Sequence, residues 1–329
     1  MGLGSLKLVV FPSVVSSSLE SAAVAFVPQG PGLVLMGGKT DVTDAFRWMQ
    51  QTLMGEAKGV GGDLVVLTAK SDNFRDAEIA AAAPFSSVRT IRIDPEASAA
   101  ELARAGALIS EAHAVFMGGG NQANYLGWAG TPVQKAIQGV YDKGGVVGGT
   151  SAGLAVLGEH VFAARDGGVG PQKALLNPGS ASLALAHDFL EFPPMKGTLT
   201  DTHFAERDRL GRLIAMMAGQ LQAGTAGIRG IGVDEGAALV INGKGVAQVL
   251  KEGSAPGGAH FVSMGASDFT PFTPAGALTA TAKVQHVLTS APFSLDSPPS
   301  KPVPVRVEAG KMRVDVVTRY GWSVAELEE

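Results

Sequence analysis

The pentapeptide Gly149-Thr150-Ser151-Ala152-Gly153 sets one serine between two glycines, where the apolar run GVVGG gives way to a helix-compatible AGLAVLG. A serine hydroxyl acts as a nucleophile when a sharp strand-to-helix turn presents it, and glycines on both sides relieve the crowding of that turn. Ser151 is the candidate nucleophile, against the plainer role of a residue in a structural turn. Such a serine needs a base, and the base needs an orienting acid. Among six histidines, His203 lies in TDTHFAERDRLGRL, a stretch too polar and irregular at its start for a buried helix, and is the candidate base. The run GIGV ends in Asp234 and Glu235. Strand ends are where an open α/β sheet gathers its site, so Glu235 is the candidate acid and Asp234 stands behind it. For the oxyanion, the amide of Ala152 and one from Gly119 or Gly120 in FMGGGNQ are the candidate donors. GGGNQANYLG lacks the spacing and the following acid of a dinucleotide-binding loop.

These residues need a scaffold, and the chain supplies one. Short apolar runs bounded by glycines alternate with helical stretches: LVLM (33–36), DLVVLT (63–68), VRTIRI (88–93), AVFM (114–117) and GVVGG (145–149). They predict the buried strands of a mostly parallel, Rossmann-like α/β sheet flanked by helices. In TPVQKAIQGVYDKGG, Thr131 is the expected N-cap and Pro132 the first helical residue, with Val133, Ile137, Val140 and Tyr141 on one face. In DVTDAFRWMQQTL the stripe is Val42, Phe46, Met49 and Leu53, and Trp48 lies off it, expected to be partly buried against a loop. AALVINGKGVAQVL predicts a hairpin with a two-residue turn at Asn242-Gly243. From about residue 256 a glycine- and proline-rich stretch leads through SPPSKPVPV to VRVEAGKMRVDVV, a small C-terminal β extension. The expected organisation is an extension or targeting segment over 1–30, a catalytic domain over 31–255 and the β extension over 256–329.

Composition narrows the chemistry. The 329 residues carry a net charge of -4 and no basic run, which sets nucleic acid aside. Zero cysteines remove disulfides, thiolate metal sites and a cysteine nucleophile. The histidines show no HExxH-type spacing, so no metal is expected. No apolar run approaches the roughly 18 residues of a membrane span. Lys7, the run LVVFPSVV and Ala23-Val24-Ala25 resemble parts of a signal segment, while Pro12 and Glu20 spoil it. A cytoplasmic or secreted location follows according to whether residues 1–25 are such a segment.

GTSAG, GGGNQ, DTHFAERDRLGR and GIGVDE, in this order and spacing, resemble the cyanophycinase branch of the S51 serine peptidases, relatives of the aspartyl dipeptidases of the peptidase E type. The resemblance covers residues from about 32 to 245. It implies a class I glutamine amidotransferase-like sheet with serine at the elbow and a triad of Ser151, His203 and Glu235. It also implies a pocket lined by Gln122, Asp201, Arg207, Arg209 and Arg212, whose guanidinium forks suit carboxylates. The plainer reading of the arginines is a solvated helix paired with Glu206 and Asp208. Thr202 stands where the family often has glutamine and Asn121 where it has aspartate, both beside the site, so the chemistry is expected to survive and the substrate choice to shift. The expected function is that of a serine peptidase hydrolysing an amide next to aspartate, with cyanophycin or a related aspartyl peptide as substrate. No cofactor is expected, and the assembly carried forward is a homodimer. The alternatives are an esterase of another small substrate, with Asp188 as its acid between Ser151 and His203, and a catalytically silent binding homologue.

Overall fold

The computed structural model describes residues 7–15, 26–69, 75–273 and 275–314. The expected cleavage site at Ala23-Val24-Ala25 lies outside them. Two sheets make the scaffold. Across the first the order is β1 (Leu8–Val10), β5 (Ser87–Ile93), β4 (Asp63–Thr68), β6 (Ala114–Met117), β7 (Val146–Thr150), β3 (Gly32–Met36), β12 (Ala237–Asn242), β13 (Val246–Lys251) and β16 (Phe293–Ser294), with β2 (Val14–Val15) also on β5. The five strands from β5 to β3 run parallel, and the outer ones are antiparallel. Each of the five apolar runs read from the sequence is one of these parallel strands.

Continuous apolar runs arise because both faces are covered. Leu33 and Leu35 of β3 point into a core with α3 (Ala99–Ser110) and α5 (Pro132–Asp142); Val34 and Met36 point into another with α1 (Thr43–Met54) and α2 (Asp76–Ala82). The predicted stripes of α1 and α5 are buried. Trp48 is half-buried, against Gly32 of β3 rather than a loop. Thr131 occupies the N-cap of α5, but its hydroxyl donates back to the Trp128 carbonyl at 2.6 Å instead of capping.

The second sheet runs β18 (Lys311–Val314), β17 (Val303–Glu308), β15 (Ala280–Val287), β14 (Ala259–Ser263), β11 (Arg229–Val233), β10 (Thr198–Thr202), β8 (His160–Phe162) and β9 (Leu185–His187). Only β8, β10 and β11 are parallel. Helices α7 (Pro171–Leu176) and α8 (Leu210–Gln222) share a core with it. Among the described residues from 256 onward the regular elements are strands joined by long loops; β14 pairs with β11 and β16 with β13, so this stretch lengthens both sheets. The hairpin of β12 and β13 is wider than the two-residue turn expected. Asn242 pairs within β12, its Oδ1 accepts from the amides of Lys244 and Val246 at 3.0 Å each, and Gly245 takes φ 76°. A glycine in the left-handed region at that point is the mark of the longer loop.

The carboxyl ends of the parallel strands of both sheets meet at one place. β3, β6 and β7 deliver Gly37, Gly118 and Ser151, while β10 and β11, in register with Thr202 opposite Val233, deliver His203 and Asp234.

Candidate active site

Ser151 sits between β7 and the short α6 (Ala152–Ala155) at φ 53° and ψ -115°, a conformation that costs a side-chain-bearing residue about 1–3 kcal/mol. Its amide donates to the Met36 carbonyl at 3.1 Å and its carbonyl accepts from Ala155 at 3.0 Å. The flanking glycines are dictated by close approach. A Cβ on Gly153 would lie 2.0 Å from the Met117 carbonyl oxygen, and one on Gly149 2.4 Å from the carbonyl carbon of Gly153.

Ser151 Oγ lies 2.8 Å from Nε2 of His203, and Nδ1 of His203 lies 2.7 Å from Oε1 of Glu235. Burial works against ionisation of Glu235, but the His203 ring and the Lys39 ammonium, 3.2 Å from Oε2, hold its carboxyl below the ordinary value. An ionised carboxylate only accepts, so Nδ1 donates to Glu235 and the neutral ring's Nε2 accepts from the Ser151 hydroxyl. Burial also lowers the basicity of His203; Glu235 opposes this, and Arg207 and Arg209 add to it. His203 itself has φ 44°, fixed by its amide donating to Gly37 at 2.9 Å.

Asp234, the second acid considered, is turned away into the interior. Both its oxygens accept from Nε2 of His260 at 2.9 Å, Oδ1 also from the Ala205 amide at 3.0 Å and Oδ2 from the Gly258 amide at 2.9 Å. Burial opposes ionisation here too, yet the His260 and His286 rings and the Gly258 amide hold Asp234 well below the usual carboxylate range. Asp234, His260 and His286 form a buried Asp-His-His cluster that no spacing in the chain foreshadows. The two rings stack with centroids 4.1 Å apart and planes 12° from parallel. A metal lies near the plane of each imidazole that ligates it, and parallel stacked planes share no such point, so in this arrangement the cluster is a hydrogen-bonded clamp on the loop after His203. Asp188 lines a separate groove with Gln134, Gln138 and Glu191, and the carboxylate on His203 is Glu235.

A cleft of about 490 Å³ opens over Ser151, lined by Gly118, Gly119, Gly120, Phe116, Thr68, Lys39, Asp41, Arg75 and Arg207 together with His203. A Cβ on Gly119 would face that of Ser151 at 3.6 Å, and Gly120 has φ 139°. Among the arginines expected at a pocket, Arg207 alone lines this cleft. Asp201 and Arg212 are buried, 2% and 4% exposed, and joined by a two-point ion pair from Nε, at 2.7 Å, and Nη2. Arg209 Nη1 reaches the same carboxylate at 3.3 Å and both the carbonyl and hydroxyl of Thr202, at 2.7 and 2.8 Å. Thr202 is buried, Asn121 Oδ1 caps α4 (Gln122–Leu126) by accepting from Ala123, and Gln122 donates to the Phe162 carbonyl at 3.2 Å. Lys39, Asp41 and Arg75 are cleft residues that sequence reasoning missed. Lys39 carried a signal, since it follows two glycines at the end of the β3 run; Arg75 carried none.

The sequence model of peptidase family S51 matches residues 86–249, the stretch that holds Ser151, His203 and Glu235. A cyanophycinase of Trichormus variabilis is 34% identical over 143 residues, 43% of this chain and 43% of that protein. One from Geminocystis herdmanii is 30% identical over 148 residues, 44% of this chain and 49% of that protein. The chain thus spans less than half the length of these curated relatives in the matched region. A crystal structure of a peptidase from an acI-B1 Actinobacterium superposes with a TM-score of 0.49 at 17% identity, covering 82% of this chain and 98% of that one. Among the described residues no helix is long and apolar enough to cross a membrane. Over residues 86–249, just under half of its length, the chain is similar to peptidase family S51.

Proposed function

We propose that the chain is a serine peptidase that hydrolyses an amide bond next to aspartate, acting on cyanophycin or on a related aspartyl peptide. The observation that carries this is the line of contacts Ser151–His203–Glu235 at 2.8 and 2.7 Å on the floor of the cleft. Ser151 Oγ attacks the carbonyl carbon while Nε2 of His203 takes its proton. Glu235 orients the ring and stabilises the imidazolium. The amides of Ala152 and of Gly120 or Gly119 hold the oxyanion. As the C–N bond breaks, His203 returns the proton to the leaving amine, leaving an acyl ester on Ser151. Water then attacks the acyl carbon while Nε2 of His203 takes its proton, the bond from that carbon to Ser151 Oγ breaks to release the acid, and His203 returns the proton to Oγ.

The cleft and the names of the relatives support the substrate class proposed. In the cleft Arg75 is held by Asp41 and Glu78 and Lys39 by Glu235, so Arg207 is the cation that favours a substrate carboxylate, and cyanophycinase is the name carried by the relatives. Arg207 is the residue assigned to a substrate carboxylate. Asp201, Arg209, Arg212 and Thr202 serve the pocket from behind, by fixing the strand end that carries His203, and Gln122 by fixing the start of α4. The test is to incubate the parent and Ser151→Ala with cyanophycin and with α- and β-aspartyl dipeptides, reading products by mass spectrometry. Release of β-aspartyl-arginine by the parent alone supports a cyanophycinase. Cleavage of the dipeptides alone narrows the substrate to small aspartyl peptides, and equal product from Ser151→Ala removes Ser151 from the mechanism.

A further inference from the structure

β3 runs out into Gly37-Gly38-Lys39, and this turn is wedged against both partners of the His203–Glu235 pair. A Cβ on Gly37 would lie 1.8 Å from the Asp234 carbonyl oxygen, and one on Gly38 would lie 2.4 Å from Cε1 of the His203 ring. Only glycine fits at either position. The Gly38 carbonyl accepts from Gly236 at 3.3 Å and from Thr40 at 2.9 Å. The second bond closes a three-residue turn centred on Lys39, whose φ is 64°. That turn is strained for any residue with a side chain, and strain of this kind points to a use for the side chain. The use is visible: Nζ of Lys39 lies 3.2 Å from Oε2 of Glu235, whose other oxygen holds His203. The Glu235 side chain is 15% exposed, whereas that of Lys39 is 73% exposed and lines the cleft. An ammonium so open to water is exchanged between partners at little cost.

Resting on the triad proposed above, we propose that Lys39 is a positioning residue whose ammonium caps the outer oxygen of Glu235 in the free enzyme and passes to an anionic group of the substrate when the cleft fills. While Lys39 sits on Glu235, part of the carboxylate's field is neutralised and the imidazolium of His203 gains less from it. Once Lys39 is drawn off, the full charge of Glu235 faces the ring as it takes the Ser151 proton. Among the described residues the charged groups that face His203 are Glu235 at Nδ1, Arg207 and Arg209 from the segment after it, and Lys39 from the β3 turn through Glu235. Asp234, backed by His260 and His286, holds the Ala205 amide two residues further on. The arginines disfavour the imidazolium, Glu235 favours it, and Lys39 sets how much of Glu235 is felt.

The rate at which a neutral alkyl fluorophosphonate labels Ser151, followed against pH, reads the protonation of His203 without a peptide substrate. Lys39→Met raises the midpoint of the acid limb by about 0.5 pH unit, whereas Lys39→Arg leaves it within about 0.2. Lys39→Gly removes charge and strain together and shows the same rise as Lys39→Met. Added succinate raises the midpoint of the parent but leaves that of Lys39→Met in place. A parent that is labelled with a midpoint unmoved by Lys39→Met overturns the proposal. So does a rise confined to Lys39→Met and absent from Lys39→Gly, or a succinate effect equal in parent and Lys39→Met. A folded parent that is not labelled at any pH overturns the triad itself, a failure seen before any Lys39 variant is compared.

Discussion

Replacing Asp201 with alanine separates two roles for the polar cluster beneath the site. In the structure Asp201 is a buried counter-ion: it receives two charge-assisted bonds from Arg212 and one from Arg209, and Arg212 is 4% exposed with its guanidinium 5.0 Å from the Phe162 ring centroid. Asp201→Ala leaves Arg212 charged and buried without a carboxylate. Breaking a buried pair from one side costs about 3–5 kcal/mol, a fall of roughly 10² to 10³ or more in the folded-to-unfolded ratio. Replacing both partners with apolar residues of similar size, Asp201→Leu with Arg212→Met, recovers most of the loss, because the Arg212 charge leaves with its carboxylate, while Arg209 loses its longer 3.3 Å bond to Asp201 and keeps the Thr202 carbonyl and hydroxyl. Urea unfolding followed by far-UV circular dichroism reads both. The clamp predicts a large drop in midpoint for the single variant and recovery of most of it in the double. A single variant within about 1 kcal/mol of the parent that instead raises KM for an aspartyl peptide would refute the reasoning and make Asp201 a substrate contact.

Other consequences are as direct. Glu235→Gln keeps the hydrogen-bond geometry but removes the charge that orients His203, and is expected to lower kcat by about 10³ to 10⁴ in a peptidase assay. Because folding lowers the basicity of His203, the acid limb of kcat/KM lies below the ordinary histidine value of 6.5, and activity persists to more acid pH than a free imidazole allows; a midpoint above 6.5 contradicts that environment. Gly153→Ala drives a methyl into the Met117 carbonyl and is expected to destabilise by about 2 kcal/mol or more, seen as a lower melting temperature. Asp234 is more acidic in the fold than unfolded, so its contribution to stability is present above its unfolded value of about 4 and is lost as pH falls below it; Asp234→Asn therefore lowers stability at neutral pH and flattens the acid limb of the stability profile.

Much of the fold could be read from the chain because its first sheet is built from uninterrupted apolar strands, covered on both faces, and such runs stand out between glycines. The second sheet was harder. β8 and β9 are three residues each, and β11 is RGIGV with two glycines, set between the parallel β10 and the antiparallel β14. Ser151, His203 and Glu235 were legible because an elbow, a polar loop and a strand end each leave a local mark. The fate of the arginines was not. Arg207, Arg209 and Arg212, among Glu206 and Asp208, read as the start of a solvated helix, yet α8 starts only at Leu210 and Arg212 turns into the interior to meet Asp201, a partner 11 residues earlier on β10. The pairing of Asp234 with His260 and His286 was equally hidden, because β14 and β15 must fold back beside β11 before those rings can stack.

The most direct measurement is the site of covalent modification by a fluorophosphonate, mapped by peptide mass spectrometry on the parent and on Ser151→Ala. The triad predicts one adduct, on Ser151, and none in the variant, whose circular dichroism spectrum stays that of the parent. An adduct on another serine, or an unmodified Ser151 in folded protein, contradicts it.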